Sequence, residues 1–151
     1  MKIMRFLPDC PNIIKLLEIY EDNNKIVMVL ELLEGKDLYK RIKTKPRLTE
    51  KEIFDIFTQI LKGVCFLHDH KIMHRDLKPD NILFSGKSDD SVIKIADFSL
   101  ADDFSNNKKF TLECGTPGFM APEIFTGEAY DEKVDVYSLG TILFILYCIY
   151  F

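Results

Sequence analysis

Asp76, Lys78 and Asn81 are the residues of this chain whose types and spacing could do chemistry together, within His74-Arg75-Asp76-Leu77-Lys78-Pro79-Asp80-Asn81. A carboxylate, an ammonium two residues on and an amide five residues on, set in a short loop, can be aimed into one cleft. The carboxylate can accept a hydroxyl proton, and the ammonium can neutralise phosphate charge. The amide oxygen is a hard donor that suits magnesium. Taken singly, each is an ordinary surface or core residue; the whole octet is not a chance arrangement.

The octet resembles the catalytic loop of eukaryotic protein kinases, where Asp, Lys and Asn hold those three jobs. Three further segments agree in order and distance. Asp97-Phe98-Ser99 stands where those kinases carry Asp-Phe-Gly, which implies that Asp97 joins Asn81 as a magnesium ligand. Cys114-Gly115-Thr116-Pro117-Gly118-Phe119-Met120-Ala121-Pro122-Glu123 resembles the end of an activation segment, with the Thr116 hydroxyl near the catalytic Asp and Lys. Asp135-Val136-Tyr137-Ser138-Leu139-Gly140 resembles the start of the central helix of the large lobe, whose Asp holds the catalytic loop from beneath. The resemblance covers essentially all 151 residues.

On that resemblance, Met28-Val29-Leu30-Glu31-Leu32-Leu33-Glu34-Gly35 is the hinge that receives ATP. Leu30 matches the back of the nucleotide pocket, the Glu31 carbonyl and Leu33 backbone pair with the adenine edge, and Leu83 lies under the ring. Asp37 either reaches a ribose hydroxyl or is simply an acid in the first turn of a helix. The implied cofactors are ATP and Mg2+, and the implied partner is a protein with Ser or Thr hydroxyls. Asp-Leu-Lys-Pro-x-Asn is the serine/threonine form, and the wording of 115–123 is closest to the calcium/calmodulin-dependent-like group. On the same resemblance, Arg75 before the catalytic Asp could pair with a loop phosphate placed by an upstream kinase, for which Thr111 is the nearest candidate; the alternative is that Thr111 is an ordinary loop threonine. Thr111 lies three residues before Cys114 where relatives use two, and Glu113 offers a permanent charge instead.

The chain departs from the family pattern in places. Ser99 replaces the glycine after Asp97-Phe98, which restricts backbone freedom there, and Tyr137 stands where tryptophan is common. No Gly-x-Gly-x-x-Gly precedes the hinge and no Val-Ala-Ile-Lys strand is present. The resemblance therefore implies a partial kinase domain over 1–151, without the glycine-rich loop, the small-lobe lysine and the last helices. Little activity is expected of it alone, because positioning and charge stabilisation supply nearly all of phosphoryl-transfer catalysis. An upstream exon is expected to encode the missing parts. The alternative is a non-catalytic kinase-like module that binds partners or nucleotide.

The elements that must position these residues are legible in outline. Ile13–Tyr20 and Lys25–Glu31, separated by turn-rich Glu21-Asp22-Asn23-Asn24, read as a strand hairpin. Gly35 marks a change to helical spacing, and Thr49-x-x-Glu52 is a capping box. Behind it Ile53, Phe57, Ile60, Val64 and Leu67 recur at helical steps over some 18 residues. Ile82–Phe84 and Val92–Ile95 read as short strands, and 102–109 as a polar loop. The uncharged run Leu139–Phe151 reads as a buried helix; at 13 residues it is short of the ~20 that a membrane span needs. With no later helix to cover them, Ile142, Leu143, Ile145, Leu146 and Ile149 are expected to form an apolar patch. The resulting fold class is α+β: a partial protein-kinase-like fold, with the hairpin and hinge of the small lobe and the first half of a mostly helical large lobe.

Composition agrees and adds exclusions. With 20 basic and 24 acidic residues, net −4, the chain has no basic excess to attract nucleic acid or an anionic membrane. The 47% hydrophobic content argues against disorder. Cys10, Cys65, Cys114 and Cys148 show no C-x-x-C pair, which fits reduced thiols and a cytoplasmic location.

Overall fold

The computed structural model describes residues 3–23, 25–45, 47–106 and 108–150, the side chains of 149 and 150 apart. In chain order the elements are α1 (Ile3–Phe6), β1 (Leu16–Asp22), β2 (Lys25–Leu30), α2 (Leu38–Lys43) and α3 (Glu50–Asp69). There follow β3 (Ile72–Met73), a 3-10 turn (Pro79–Asn81), β4 (Ile82–Phe84), β5 (Ile93–Ile95), β6 (Asp102–Asp103), α4 (Pro122–Phe125) and α5 (Lys133–Tyr150). Helices and small antiparallel sheets alternate as the α+β reading expects.

Helix α3 starts where its capping box dictates. The Thr49 hydroxyl accepts from the Glu52 N–H, and the Glu52 carboxylate accepts from the Thr49 N–H at 2.8 Å. Lys45 also donates to Glu52, and with the Thr49 bonds it holds that carboxyl down to about 2. The helix buries Ile53, Ile56, Ile60, Val64 and Leu67 in one stripe; each fully buried side chain contributes about 1.5–3 kcal/mol. Gly63 lies on this stripe because a Cβ there would meet Ile95 Cδ1 at 2.7 Å. The glycine lets β5 approach the helix closely.

Strands β1 and β2 pair antiparallel from Leu16↔Leu30 to Asp22↔Lys25. The first strand is shorter than expected, because Ile13, Ile14 and Lys15 lie outside the hairpin. Ile13 instead forms a parallel bridge with Ile95, the Ile14 N–H donates to the Ile95 carbonyl at 2.9 Å, and the Ile95 N–H donates to the Asn12 carbonyl at 2.9 Å. Buried Asn12 anchors this edge by donating from Nδ2 to the Ile93 carbonyl at 2.9 Å. The stretch just before the hairpin thereby extends the β4–β5 sheet, in which Ile82 faces Ile95 and Leu83 faces Lys94. The loop expected over 102–109 holds a two-residue strand, β6, which pairs with β3.

Helix α5 begins at Lys133, six residues before the uncharged run, and buries Val134, Leu139, Ile142 and Leu146. Its packing against α3 corrects the expected patch: Ile142 and Leu146 are fully buried, and Leu143 and Ile145 are half-buried. The exposed large apolar side chains of the helix include Val136, Tyr137 and Phe144, while the side chain of Ile149 lies outside the described residues. Among the described residues no helix is long and apolar enough to cross a membrane. A second, smaller core of Met73, Phe110, Met120, Ala121, Ile124, Tyr130 and Val134 fastens the segment 110–130 to the rest.

Candidate active site

The loop between β3 and β4 brings Asp76, Lys78 and Asn81 together as their spacing suggested, and Thr116 joins them from 40 residues away. Lys78 Nζ donates to Asp76 Oδ2 at 2.9 Å and to the Thr116 hydroxyl at 2.7 Å. That hydroxyl donates onward to Asp76 Oδ1 at 2.6 Å, which closes a triangle of carboxylate, ammonium and hydroxyl. Asn81 Nδ2 donates to the Asp76 carbonyl at 2.8 Å and to Oδ2 at 3.1 Å. Asp76 is buried, so these bonds replace the water that its charge would otherwise require.

Thr116 is delivered by a turn that only glycine makes cheaply. Gly115 has φ +122°, and a Cβ there would lie 2.8 Å from the Arg75 carbonyl. Beneath the loop, Asp135 of α5 is fully buried and accepts from the His74 N–H at 2.8 Å and the Arg75 N–H at 2.9 Å. His68 Nε2 lies 2.9 Å from the same carboxylate. The Asp135 role expected from the resemblance is thus present as geometry.

His74 is the loop's internal strut. Its Nδ1 accepts from the Asp76 N–H at 3.2 Å, so Nε2 carries the proton and donates to the Ala96 carbonyl at 3.0 Å. Burial pushes the imidazole pKa down and keeps the ring neutral. The Phe98 ring meets it edge-on, with centroids 5.1 Å apart. The same contacts link the loop to the segment that carries Asp97.

Asn81 and Asp97 occupy neighbouring strand ends, because the Ala96 N–H donates to the Asn81 carbonyl at 2.9 Å. With both Asn81 Nδ2 bonds directed at Asp76, its amide oxygen is left as an acceptor. Asp97 is exposed, and its Oδ1 takes the Ser99 N–H at 3.2 Å. An amide oxygen and a carboxylate are the hard donors that magnesium prefers, and such a site leaves most positions to water and phosphate oxygens.

The hinge residues Leu30 and Leu33 pack at the edge of the main core, as does Leu83, and Glu31 lies between the two leucines. The Glu31 N–H donates to the Lys15 carbonyl at 3.0 Å, and the Glu34 N–H donates to the Ser85 carbonyl at 3.1 Å. Lys94 Nζ sits 2.7 Å from Glu31 Oε1. Gly35 lies where a Cβ would fall 2.3 Å from the Phe84 carbonyl, so the hinge must pass close to β4. Asp37 caps α2: Oδ1 accepts from the Lys40 N–H at 2.8 Å, and Oδ2 pairs with Lys40 Nζ at 2.8 Å.

The comparisons with known proteins fall on the same ground. Residues 1–151 match the protein kinase domain family. The chain belongs to that family. It is 41% identical over 140 residues to a calcium/calmodulin-dependent protein kinase type 1 of Macrobrachium nipponense, covering 93% of this chain and 40% of that protein. It is 46% identical over 138 residues to human calcium/calmodulin-dependent protein kinase type IV, covering 91% of this chain and 29% of that protein. A calcium-dependent protein kinase 5 of Plasmodium berghei is 46% identical over 142 residues, 94% of this chain and 25% of that protein. The chain thus spans a quarter to two fifths of the length of these relatives.

Within this kinase-family chain, Arg75 holds partners that no sequence pattern revealed. It has φ +66°, its Nε donates to the Leu100 carbonyl at 2.7 Å, and Nη2 donates to Asp102 at 3.3 Å. Nη1 donates to the Tyr130 hydroxyl at 3.3 Å. The carboxylate on this guanidinium is therefore Asp102 rather than Glu113, and Thr111 is exposed. Ser99 does not share the positive φ of Asp97, +62°, so the serine sits without backbone strain. Asp102 and Tyr130 could not be foreseen, because a lone acid and a lone tyrosine carry no spacing signal.

Proposed function

We propose that these residues carry ATP-dependent phosphoryl transfer to Ser or Thr hydroxyls of a protein substrate, as the large-lobe half of a serine/threonine kinase site. The observation that supports it most is the Asp76–Lys78–Thr116 triangle. A hydroxyl already donates to Asp76 Oδ1 at 2.6 Å there, which is the bond a substrate Ser or Thr would make. A carboxylate oxygen has lone pairs to spare, so Asp76 can accept a second hydroxyl.

In the reaction, the substrate oxygen bonds to the γ-phosphorus as the bond to the β–γ bridging oxygen breaks, and ADP leaves. Asp76 orients the hydroxyl and takes its proton, while Lys78 offsets charge on the transferring group. Asn81 and Asp97 are the residues that would hold magnesium, which supplies charge neutralisation on the phosphates. Leu30, the Glu31 carbonyl and the Leu33 backbone would receive adenine, with Leu83 beneath the ring. Asp37 would meet the ribose only by sharing its cap bonds.

The 151 residues contain no glycine-rich phosphate loop, so the chain taken alone is expected to bind nucleotide weakly and to transfer little. Calorimetric titration with ADP, with and without Mg2+, tests the reading. Magnesium should tighten binding to the wild type, and Asp97→Asn should remove that gain while Asp76→Asn keeps it. Binding indifferent to magnesium in the wild type would sink the metal assignment. Tight magnesium-dependent binding with no transfer in any longer form would favour the non-catalytic module.

A further inference from the structure

Lys94 is the residue of β5 that the proposed chemistry leaves without a task, yet its surroundings are unusually specific. Its side chain is only 13% exposed, and its ammonium sits 2.7 Å from Glu31 Oε1 and donates to the Ile13 carbonyl at 3.3 Å. Glu31 Oε1 also accepts the Lys15 N–H. One carboxylate oxygen therefore ties together the hinge, Lys15 just before β1, and β5. Lys94 faces Leu83 across the β4–β5 ladder, and paired residues of an antiparallel ladder project to the same face. Asp97 follows three residues later. Beside Lys94 lies a cavity of about 400 Å³, walled also by Met4, Leu7, Cys10, Lys15 and Leu16.

We propose that Lys94 is a positioning residue for the nucleotide site: its ion pair with Glu31 fixes the hinge backbone against β5. This sets the Glu31 carbonyl and Leu33 backbone at a constant distance from Leu83. The proposal rests on the nucleotide reading for its consequence, but not for its geometry. A half-buried charge pair holds its orientation more firmly than an exposed one, because water competes less for either partner. Lys94→Met keeps the aliphatic stem and removes the charge, and Lys94→Arg restores it.

Hydrogen exchange on the full chain, read residue by residue without nucleotide, measures the lock directly. In Lys94→Met the amides of Lys15 and Glu31 should exchange at least about fivefold faster, with those of α3 unchanged, and Lys94→Arg should restore protection. The affinity for a fluorescent ADP analogue with magnesium should fall about fivefold in Lys94→Met and recover in Lys94→Arg. Unchanged hinge exchange overturns the proposal, as does an equal loss of protection throughout α3. Faster hinge exchange with unchanged analogue affinity overturns its functional half. If the wild type does not bind the analogue, the nucleotide reading fails, and exchange alone still decides the lock.

Discussion

His74 shows how a single buried residue can be both a strut and a pH sensor of stability. Its neutral ring accepts from the Asp76 N–H and donates to the Ala96 carbonyl, and burial holds its pKa below the ordinary value. The unfolded chain takes up a proton near pH ~6.5 that the folded chain refuses. The stability this residue contributes is therefore present above that pH and declines as pH falls below it. His74→Phe strands two buried polar groups and should cost about 1–3 kcal/mol at pH 7.5. Urea unfolding should show the gap between wild type and variant narrowing at pH 5; a constant or widening gap would contradict the neutral strut. At this scale Asp76, Lys78 and Asn81 were legible because one loop motif fixes their types and spacing, and Thr116 because 114–123 resembles the end of an activation segment. The Asp102 and Tyr130 contacts to Arg75 were not, since each pairs across 25 or more intervening positions without a local pattern.

At the scale of elements, α3 was the most legible, because a capping box and a 3.6-residue apolar period are written locally. It starts at Glu50, as its Thr49 cap requires, and runs to Asp69. The ion pair with Lys45 and the bonds to Thr49 hold Glu52 at about 2, below its ordinary 4.5. The Glu52 contribution is consequently present above about pH 4.5 and is lost as pH falls toward 2. Glu52→Gln should lower stability by about 0.5–1 kcal/mol at pH 7, the carboxylate being partly exposed. Thermal unfolding should show a smaller difference at pH 3, and an undiminished difference there would exclude the charged cap. The first strand was the element misread. Ile13 and Ile14 are strand-forming residues, but Ile13 bridges Ile95 and the Ile14 N–H donates to the Ile95 carbonyl, beside the bond from buried Asn12 to the Ile93 carbonyl, so they join β5 instead. A propensity cannot say which sheet a strand joins.

For the whole molecule, the two ends of the proposed chemistry are held by long-range contacts. Asp135 on α5 accepts from the backbone of the loop that carries Asp76, and Lys94 on β5 pairs with Glu31 after β2. Sequence motifs indicated the first of these and were silent on the second. The α3–α5 packing that buries Ile142 and Leu146 was likewise invisible, because it depends on which helix faces which. The central claim, that these residues supply the catalytic half of a serine/threonine kinase site, can be measured in a chimera. The segment of human calcium/calmodulin-dependent protein kinase type IV that aligns with this chain over 138 residues is replaced by the corresponding residues of this chain. Transfer of labelled phosphate from ATP to a Ser/Thr peptide is then followed. The chimera should transfer phosphate, and Asp76→Asn should reduce the rate about 10²- to 10⁴-fold with nucleotide binding kept. A folded, nucleotide-binding chimera that transfers nothing, or an Asp76→Asn form as fast as its parent, would contradict the claim.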